Sequence, residues 1–434
     1  MAEVRPLRGI RYAPALRQDS AQLITPPFDV ISPQAQTAFY ERHPYNIIRL
    51  ELGKEQPNDN SLNNVYTRAA ATYAEWRKNG ILQQEAAPVY YLYQQRFSHG
   101  GQTFTRTSLI ARVRLEPWEK HVVLRHEHTR TKDKADRLNL LRACATNFSP
   151  IMVMYDDPQG RIRRMLNPYG EQAELHCTDD AGEEQRLHPI TDPQQIALIQ
   201  DFFAQRQLYI ADGHHRYETA LAYRQEILEQ RHELHPEDAT NFVLMALIDL
   251  DDPGLLMLPT HRLLFGLEQE TLEKLSAQRL ARYFTVQTIT ASAASEIEQH
   301  LAQARQQESV IIIATAQQTL LLTLNEQGKA HMQNSGHSAA WNELDVAIAH
   351  QLILDELLGL GAAAMAAGAH VRSSQDAAEA LQAVQSGEAQ AALLLNTTRV
   401  RQICAVAEAD DQMPQKSTYF YPKLTTGLVL NALW

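Results

Sequence analysis

Apolar residues recur along this chain with two periods, near 2 and near 3.6, and the changes between them mark its elements. The sharpest change falls at residues 208–228. Leu208-Tyr209-Ile210-Ala211 reads as a short strand, and beyond it Tyr217, Ala220, Leu221 and Leu228 fall on one face of a helix. Upstream, residues 23–32 (LITPPFDVIS) are extended and proline-punctuated, and Ser32-Pro33 reads as a helix start. HPYNIIRLELG, residues 43–53, alternates toward a strand, and residues 61–79 predict a helix stopped at Gly80. PVYYLYQQRF and QTFTRTSLIARVRL flank Ser98-His99-Gly100-Gly101, a β-hairpin with a glycine turn. In its second strand Thr, Leu, Ala and Val alternate with Arg and Ser, which predicts one buried face. Val122 to Leu124 predict a strand, Asp133 opens a helix through Leu138 and Leu141, and SPIMVMYDD reads as a buried strand.

Residues 156–195 are polar and read as irregular, before a helix over QQIALIQDFFAQ. Residues 241–264 predict a buried strand, an Asp-Pro-Gly turn and a second strand, and residues 268–330 alternate helix and strand. NELDVAIAHQLILDELLG predicts an apolar helix ending at Gly359, DAAEALQAVQ another helix, and AALLLN and ICAVAE short strands. At 434 residues the chain exceeds the usual size of a single core. The pattern predicts a mixed fold, α/β in class (α+β mixed), with a core domain at 1–265, an α/β subdomain at 266–340 and a segment at 341–434 that returns to the core.

Composition narrows the function. A formal net charge of −11 argues against nucleic acid or an anionic membrane as the main partner, while leaving room for a local basic pocket. The cysteines Cys144, Cys177 and Cys404 form no CxxC pair, which argues for a reducing compartment. With no apolar signal core at the start and no membrane-length run, a cytoplasmic location is expected.

The candidate chemistry concentrates where strand gives way to helix, at Asp212, Gly213, His214, His215 and Arg216. Glycine allows a sharp turn and close backbone approach. The first N–H groups of the helix lack internal partners and, with the dipole, favour an anion such as phosphate. Two imidazoles and a guanidinium add donors, and Asp212 suits a divalent cation. The plainer alternative is that Asp212 caps the helix and the histidines are surface donors. Asp29 is presented from the Pro-Pro loop, and Arg49 and Glu51 are polar groups in an apolar frame. His126 and His128 would share a face if on a strand, a spacing that can hold a metal; the segment also reads as a polar loop offering Glu127, His128 and a basic side chain to an anion. His261 and Arg262 follow an apolar run, and Lys416, Ser417 and Thr418 lie in a proline-bounded loop suited to anion contact. The Walker, nucleophile-elbow and protein-kinase motifs are absent.

ADGHHRYETAL, taken with TPPFDVIS, HPYNIIRLELG, LPTHRL and MPQKSTYFYPKL, resembles a bacterial and archaeal family catalogued as a domain of unknown function. The central motif is also similar to the phosphate-binding motif of the ParB/sulfiredoxin superfamily, whose free-serine kinases carry D-G-H-H-R. Where sulfiredoxins place a reactive cysteine stands His214, so sulfinic-acid repair is not implied. The resemblance implies a ParB/sulfiredoxin-like nucleotide-binding core with an added α/β domain. It implies a kinase taking free L-serine, or a similar hydroxy amino acid, to its phosphoester with ATP or ADP and Mg2+. Gly213, His214, His215, Arg216 and Lys416 would then hold phosphates and Asp212 the magnesium. Asp29, Glu127 or Glu51 would serve as base, and His128, Arg130, His261, Arg262, Ser417 and Thr418 would contact substrate. Two other readings follow from the same residues. One is a non-catalytic ParB-like nucleotide-binding regulator. The other is a metal-dependent hydrolase using His126, His128, His214 and His215.

Overall fold

The elements that flank the central motif form where the pattern places them. A strand at Leu208–Asp212 runs into a helix at His214–Arg231, with Gly213 between them. The computed structural model describes residues 1–434 apart from Arg130, Ser292 and residues 305–308, 362–363 and 365–367. The fold is mixed α/β. The chain divides into two compact units, the first comprising Met1–Arg125, Thr129–Leu256 and Pro422–Trp434, the second His126–His128 and Met257–Tyr421.

The first unit is built on a mixed sheet. In spatial order its main strands are Val123–Leu124, Leu208–Asp212, Ile151–Tyr155, Phe242–Asp249, Gln102–Arg114, Tyr90–His99, Glu184–Ile190 and Leu175–Thr178. The motif strand is parallel to Val123–Leu124 and antiparallel to Ile151–Tyr155, with a register shift between Ile210 and Asp212. One face carries the main core, where Leu109, Ala111, Val153, Leu208, Ile210 and Leu247 pack with Ile199, Phe203, Tyr217 and Ala220 from helices. Cross-strand pairing places Asp212, Met152, Ala246 and Ile110 on the opposite face. The tail Pro422–Trp434 is stitched into this unit. Thr426 and Thr25 exchange backbone bonds, as do Leu430 and Ile10, and Asn431 pairs with Asn147.

The second unit holds a six-stranded antiparallel sheet in the order Phe284–Ile289, Thr319–Leu324, Val310–Thr315, Ala391–Leu395, His261–Leu264 and Val371–Ser374. Ile297 and Leu301 of one helix, and Ala380 and Val384 of another, pack on Ile312, Leu394 and Leu263. No helix among the described residues is long and apolar enough to cross a membrane.

Three expectations about elements are corrected. Residues 43–53 contain a short helix, Ile48–Glu51, rather than a strand. Asn46 turns the chain there, its side-chain Oδ1 accepting from Ile48 N–H, and Ile47, Ile48, Leu50 and Glu51 are all buried, which is not a period of two. ICAVAE lies in a helix, Val400–Glu408, with Ile403, Cys404, Val406 and Ala407 buried at helical spacing. Residues 156–195 are not irregular, since Leu175–Thr178 and Glu184–Ile190 form a hairpin that extends the main sheet.

Candidate active site

Gly213 adopts φ 96°, a left-handed conformation that glycine reaches without a Cβ clash, and it leaves the motif helix without any side-chain N-cap. Asp212 therefore does not cap the helix. Its carboxylate instead receives two cations, Lys423 Nζ on Oδ1 at 3.0 Å and Arg216 Nη2 on Oδ2 at 3.0 Å. Burial alone would raise the Asp212 pKa, but Lys423 and Arg216 outweigh it and hold the group well below the usual carboxylate range. Arg216 is itself fixed, since Nη1 donates to the Pro150 carbonyl at 2.5 Å. A Cβ on residue 213 would come within 2.9 Å of the Arg216 guanidinium, so only glycine leaves it that place.

Asp29 joins this group from the N-terminal loop. Pro26-Pro27 leads into a single 3-10 turn, Phe28–Val30, and Ser32 then caps the helix Pro33–Arg42 by accepting from Ala35 N–H. The Phe28 ring lies under the Arg137 guanidinium at 4.0 Å, which anchors the turn. The Asp29 side chain keeps solvent access, yet crowding by protein, and then the negative charge of Asp212, push its pKa up against the pull of Arg216 and Lys423. The result is two carboxylates of opposite character, Asp212 locked in its ionised form and Asp29 shifted toward proton acceptance.

His214 is buried close to Asp212, while His215 is half-buried on the same turn. One turn further on, Glu218 receives Thr129 at 2.5 Å, Lys134 at 3.0 Å and Arg125 at 3.3 Å, so these three side chains are fastened to the motif helix. Glu51 is buried in an ion pair with Arg137 at 3.4 Å and accepts from Ser149 at 3.1 Å. A cavity of about 50 Å³ lies behind Arg216, lined by Glu51, Arg137, Ser149 and Thr219 among others. Glu51 thus sits in the scaffold that holds the Asp29 turn.

The DUF1015 family, described as a protein of unknown function, matches residues 4–347. The chain belongs to the DUF1015 family. No curated protein matches its sequence. Solved structures similar to this DUF1015 chain include a conserved hypothetical protein from Pyrococcus furiosus, at 9% identity and TM-score 0.35, covering 73% of this chain and 92% of that one. A free serine kinase in complex with AMP aligns at 10% identity and TM-score 0.37, covering 75% and 93%. SbnI with C-terminal truncation from Staphylococcus aureus aligns at 12% identity and TM-score 0.35, covering 73% and 85%.

Of the other residues predicted for the DUF1015 chain, Glu127, His128, His261, Arg262, Lys416, Ser417 and Thr418 lie in the second unit. His126 is buried with Nε2 3.2 Å from Thr418 Oγ1, whereas His128 is exposed, so the two do not share a face. Glu127 accepts the Lys416 N–H at 3.3 Å, and Ser417 is buried with its hydroxyl on the Pro414 carbonyl. His261 Nδ1 accepts the Leu395 N–H at 3.1 Å; burial, helped by Arg262, takes its pKa down to about 4, so the ring is neutral. Arg262 donates to Thr260, Ser373 and the carbonyls of Gln415 and Lys416, hydrogen bonds that fasten a loop. Arg130 lies outside the described residues. Among the described residues no group of three or more His, Cys, Asp or Glu is placed to hold a metal ion.

Two polar residues at the site were not singled out by sequence. Lys423 lies in the tail MPQKSTYFYPKL, downstream of the lysine and hydroxyl cluster at residues 416–418 that suits anion contact. Arg106 belongs to the Arg/Ser side of the hairpin alternation, expected to face solvent, yet Arg106 and Ser108 are 0% and 1% exposed.

Proposed function

We propose that this chain is a nucleotide-dependent kinase that phosphorylates the hydroxyl of a free amino acid, with L-serine yielding O-phosphoserine. The observation that carries the reading is the meeting of Asp29, Asp212, Arg216 and Lys423 at an uncapped helix start. Phosphoryl transfer demands positioning and charge neutralisation more than covalent help. The positive end of the motif helix and the Arg216 guanidinium hold phosphate oxygens, while Lys423 balances charge from the other side of Asp212. Asp29 accepts the proton of the attacking hydroxyl as the new O–P bond forms and the bond to the departing nucleotide breaks. Its raised pKa suits that task, and its solvent access lets substrate reach it. The choice of serine rests on the resemblance of Asp212-Gly213-His214-His215-Arg216 to the free-serine kinase motif.

Magnesium fits this donor set. Asp212 accepts one bond on each oxygen, which leaves lone pairs, and one or two carboxylates are what magnesium usually takes from protein when phosphates supply the rest. Asp212, with Asp29 beside it, would hold the ion, and the ion would neutralise charge on the transferring phosphoryl group. The test is phosphorus NMR of purified protein with magnesium, ATP or ADP, and a panel of free hydroxy amino acids. A phosphoester signal with serine, lost in Arg216→Ala, is the expected outcome. Nucleotide binding without product across the panel would sink the kinase reading.

A further inference from the structure

Arg106 is a buried cation of the first unit that takes no part in the chemistry proposed above. It sits on the strand Gln102–Arg114, directly opposite Gln95. Its side chain is fully buried, and its Nη2 donates to the Gln95 side-chain oxygen. Its Nε and Nη1 have no hydrogen-bond acceptor among the described residues. Two residues along the same face, the Ser108 hydroxyl is also buried without a partner among the described residues. A buried guanidinium left with unpaired N–H groups is costly, because its hydration is lost and nothing replaces it. Such a group is retained where something else completes it.

The contacts around Arg106 lead back to the motif. Gln95 Nε2 donates to the Lys423 carbonyl at 3.0 Å, and Lys423 Nζ holds Asp212 at 3.0 Å. The charges acting on Arg106 come from Asp252, Glu183 and Asp212, with Tyr93 also facing it, yet among the described residues no carboxylate stands within ion-pair distance. Arg216 and Lys423 both bind Asp212 directly, whereas Arg106 binds only an amide oxygen among the described residues. A nucleoside polyphosphate brings several negative charges, and a planar guanidinium donates to phosphate oxygens at fixed geometry.

We propose that Arg106 is a ligand of the nucleotide's phosphate chain, with Gln95 holding the guanidinium in position. This inference rests on the kinase reading for the identity of the anion. The backbone around it is built to be rigid. Thr107 N–H donates to Asp252 Oδ2 at 3.3 Å, and a Cβ on Gly254 would lie 2.4 Å from Arg106 N, so the loop packs directly on this strand.

The experiment is calorimetric titration of the full chain with Mg·ATP and Mg·ADP, for wild type, Arg106→Lys and Arg106→Gln, with a thermal melt of each. We expect Arg106→Gln to weaken nucleotide binding by about 10- to 100-fold, the worth of one charged hydrogen-bonding group, with Arg106→Lys intermediate. The ligand-free melting temperature should hold or rise, because an unpaired buried charge has gone. Unchanged nucleotide affinity in a folded variant would overturn the inference while leaving the kinase reading intact. So would a weakened response to serine alone, which would assign Arg106 to the amino acid's carboxylate. Lost nucleotide binding in the variants, with no product from wild type on any hydroxy amino acid, would support Arg106 and remove the kinase. No nucleotide binding by wild type would remove both. Should Arg106→Gln fail to fold, Arg106→Lys and the arginine Nε–H signals of wild type on adding Mg·ATP decide the matter. A nucleotide-shifted Nε–H signal that is missing in Arg106→Lys supports contact, and signals that stay fixed exclude it.

Discussion

Asp212 holds one cation on each carboxylate oxygen, and only one of the two lies in its own motif. Lys423 therefore deserves the first substitution. With Lys423→Met, Asp212 keeps Arg216 alone and Asp29 loses a neighbour that lowers its pKa. The base must be ionised to work, so a further rise in its pKa moves the acidic limb of the kcat/KM profile to higher pH. We expect that shift together with a loss of roughly 10²- to 10³-fold in phosphoryl transfer, the usual cost of removing one stabilising donor. A profile whose acidic midpoint does not move would place Lys423 outside the proton-transfer machinery. Asp252 gives a prediction about stability. Burial raises its pKa to about 6, despite bonds from Gly254 and Thr107 N–H groups and the charge of Arg106. The folded state then binds a proton more tightly than the unfolded chain. The stability this gives is complete below about pH 4 and is lost as pH rises through about 6, a swing on the order of 2–3 kcal/mol. Denaturant melts should show that decline in wild type and its absence in Asp252→Asn.

At the scale of elements, the strand–turn–helix of the motif was legible because each part carries its own signal. Four apolar residues mark the strand, a glycine the turn, and helical spacing from Tyr217 the helix. The glycine can be tested directly. Gly213→Ala meets both φ 96° and a contact of 2.9 Å with Arg216. The left-handed conformation alone costs roughly 1–2 kcal/mol for a non-glycine residue. We expect a lower melting temperature and a loss of nucleotide affinity resembling that of Arg216→Ala, measured by melts and calorimetry; wild-type affinity would show that Arg216 does not need its present place. Short apolar runs were less legible. ICAVAE reads as strand or helix until its length and its buried Ile403, Cys404, Val406 and Ala407 are known. Ile48–Glu51 is set by the Asn46 side chain and by tertiary burial, neither of which alternation reveals. The burial of Arg106 and Ser108 is not legible in the sequence because alternation tells which residues share a face, not whether the second face is also covered.

At the scale of the molecule, the first unit is assembled from pieces far apart in sequence, and its last piece is Pro422–Trp434. Candidate site residues Asp29, Asp212, Arg216 and Lys423 thus come from three separated stretches, which is why local reading found the motif but not its lysine. The tail also supplies packing. Leu424, Leu428, Val429, Leu430 and Leu433 are buried, worth on the order of 10 kcal/mol at roughly 1.5–3 kcal/mol each. That matches the whole stability of an ordinary domain. A chain ending at Tyr421 should therefore lose the first unit's cooperative transition, seen in melts and as fast hydrogen exchange along Ile151–Tyr155 and Phe242–Asp249. Packing and chemistry can then be separated in trans. A synthetic peptide of residues 422–434 should restore both slow exchange and nucleotide-dependent phosphoester formation. The same peptide with Lys423→Met should restore slow exchange alone, because its apolar contacts and its backbone bonds to Thr25 and Ile10 remain while the cation on Asp212 does not. Equal activity with both peptides would mean that the tail serves only the fold.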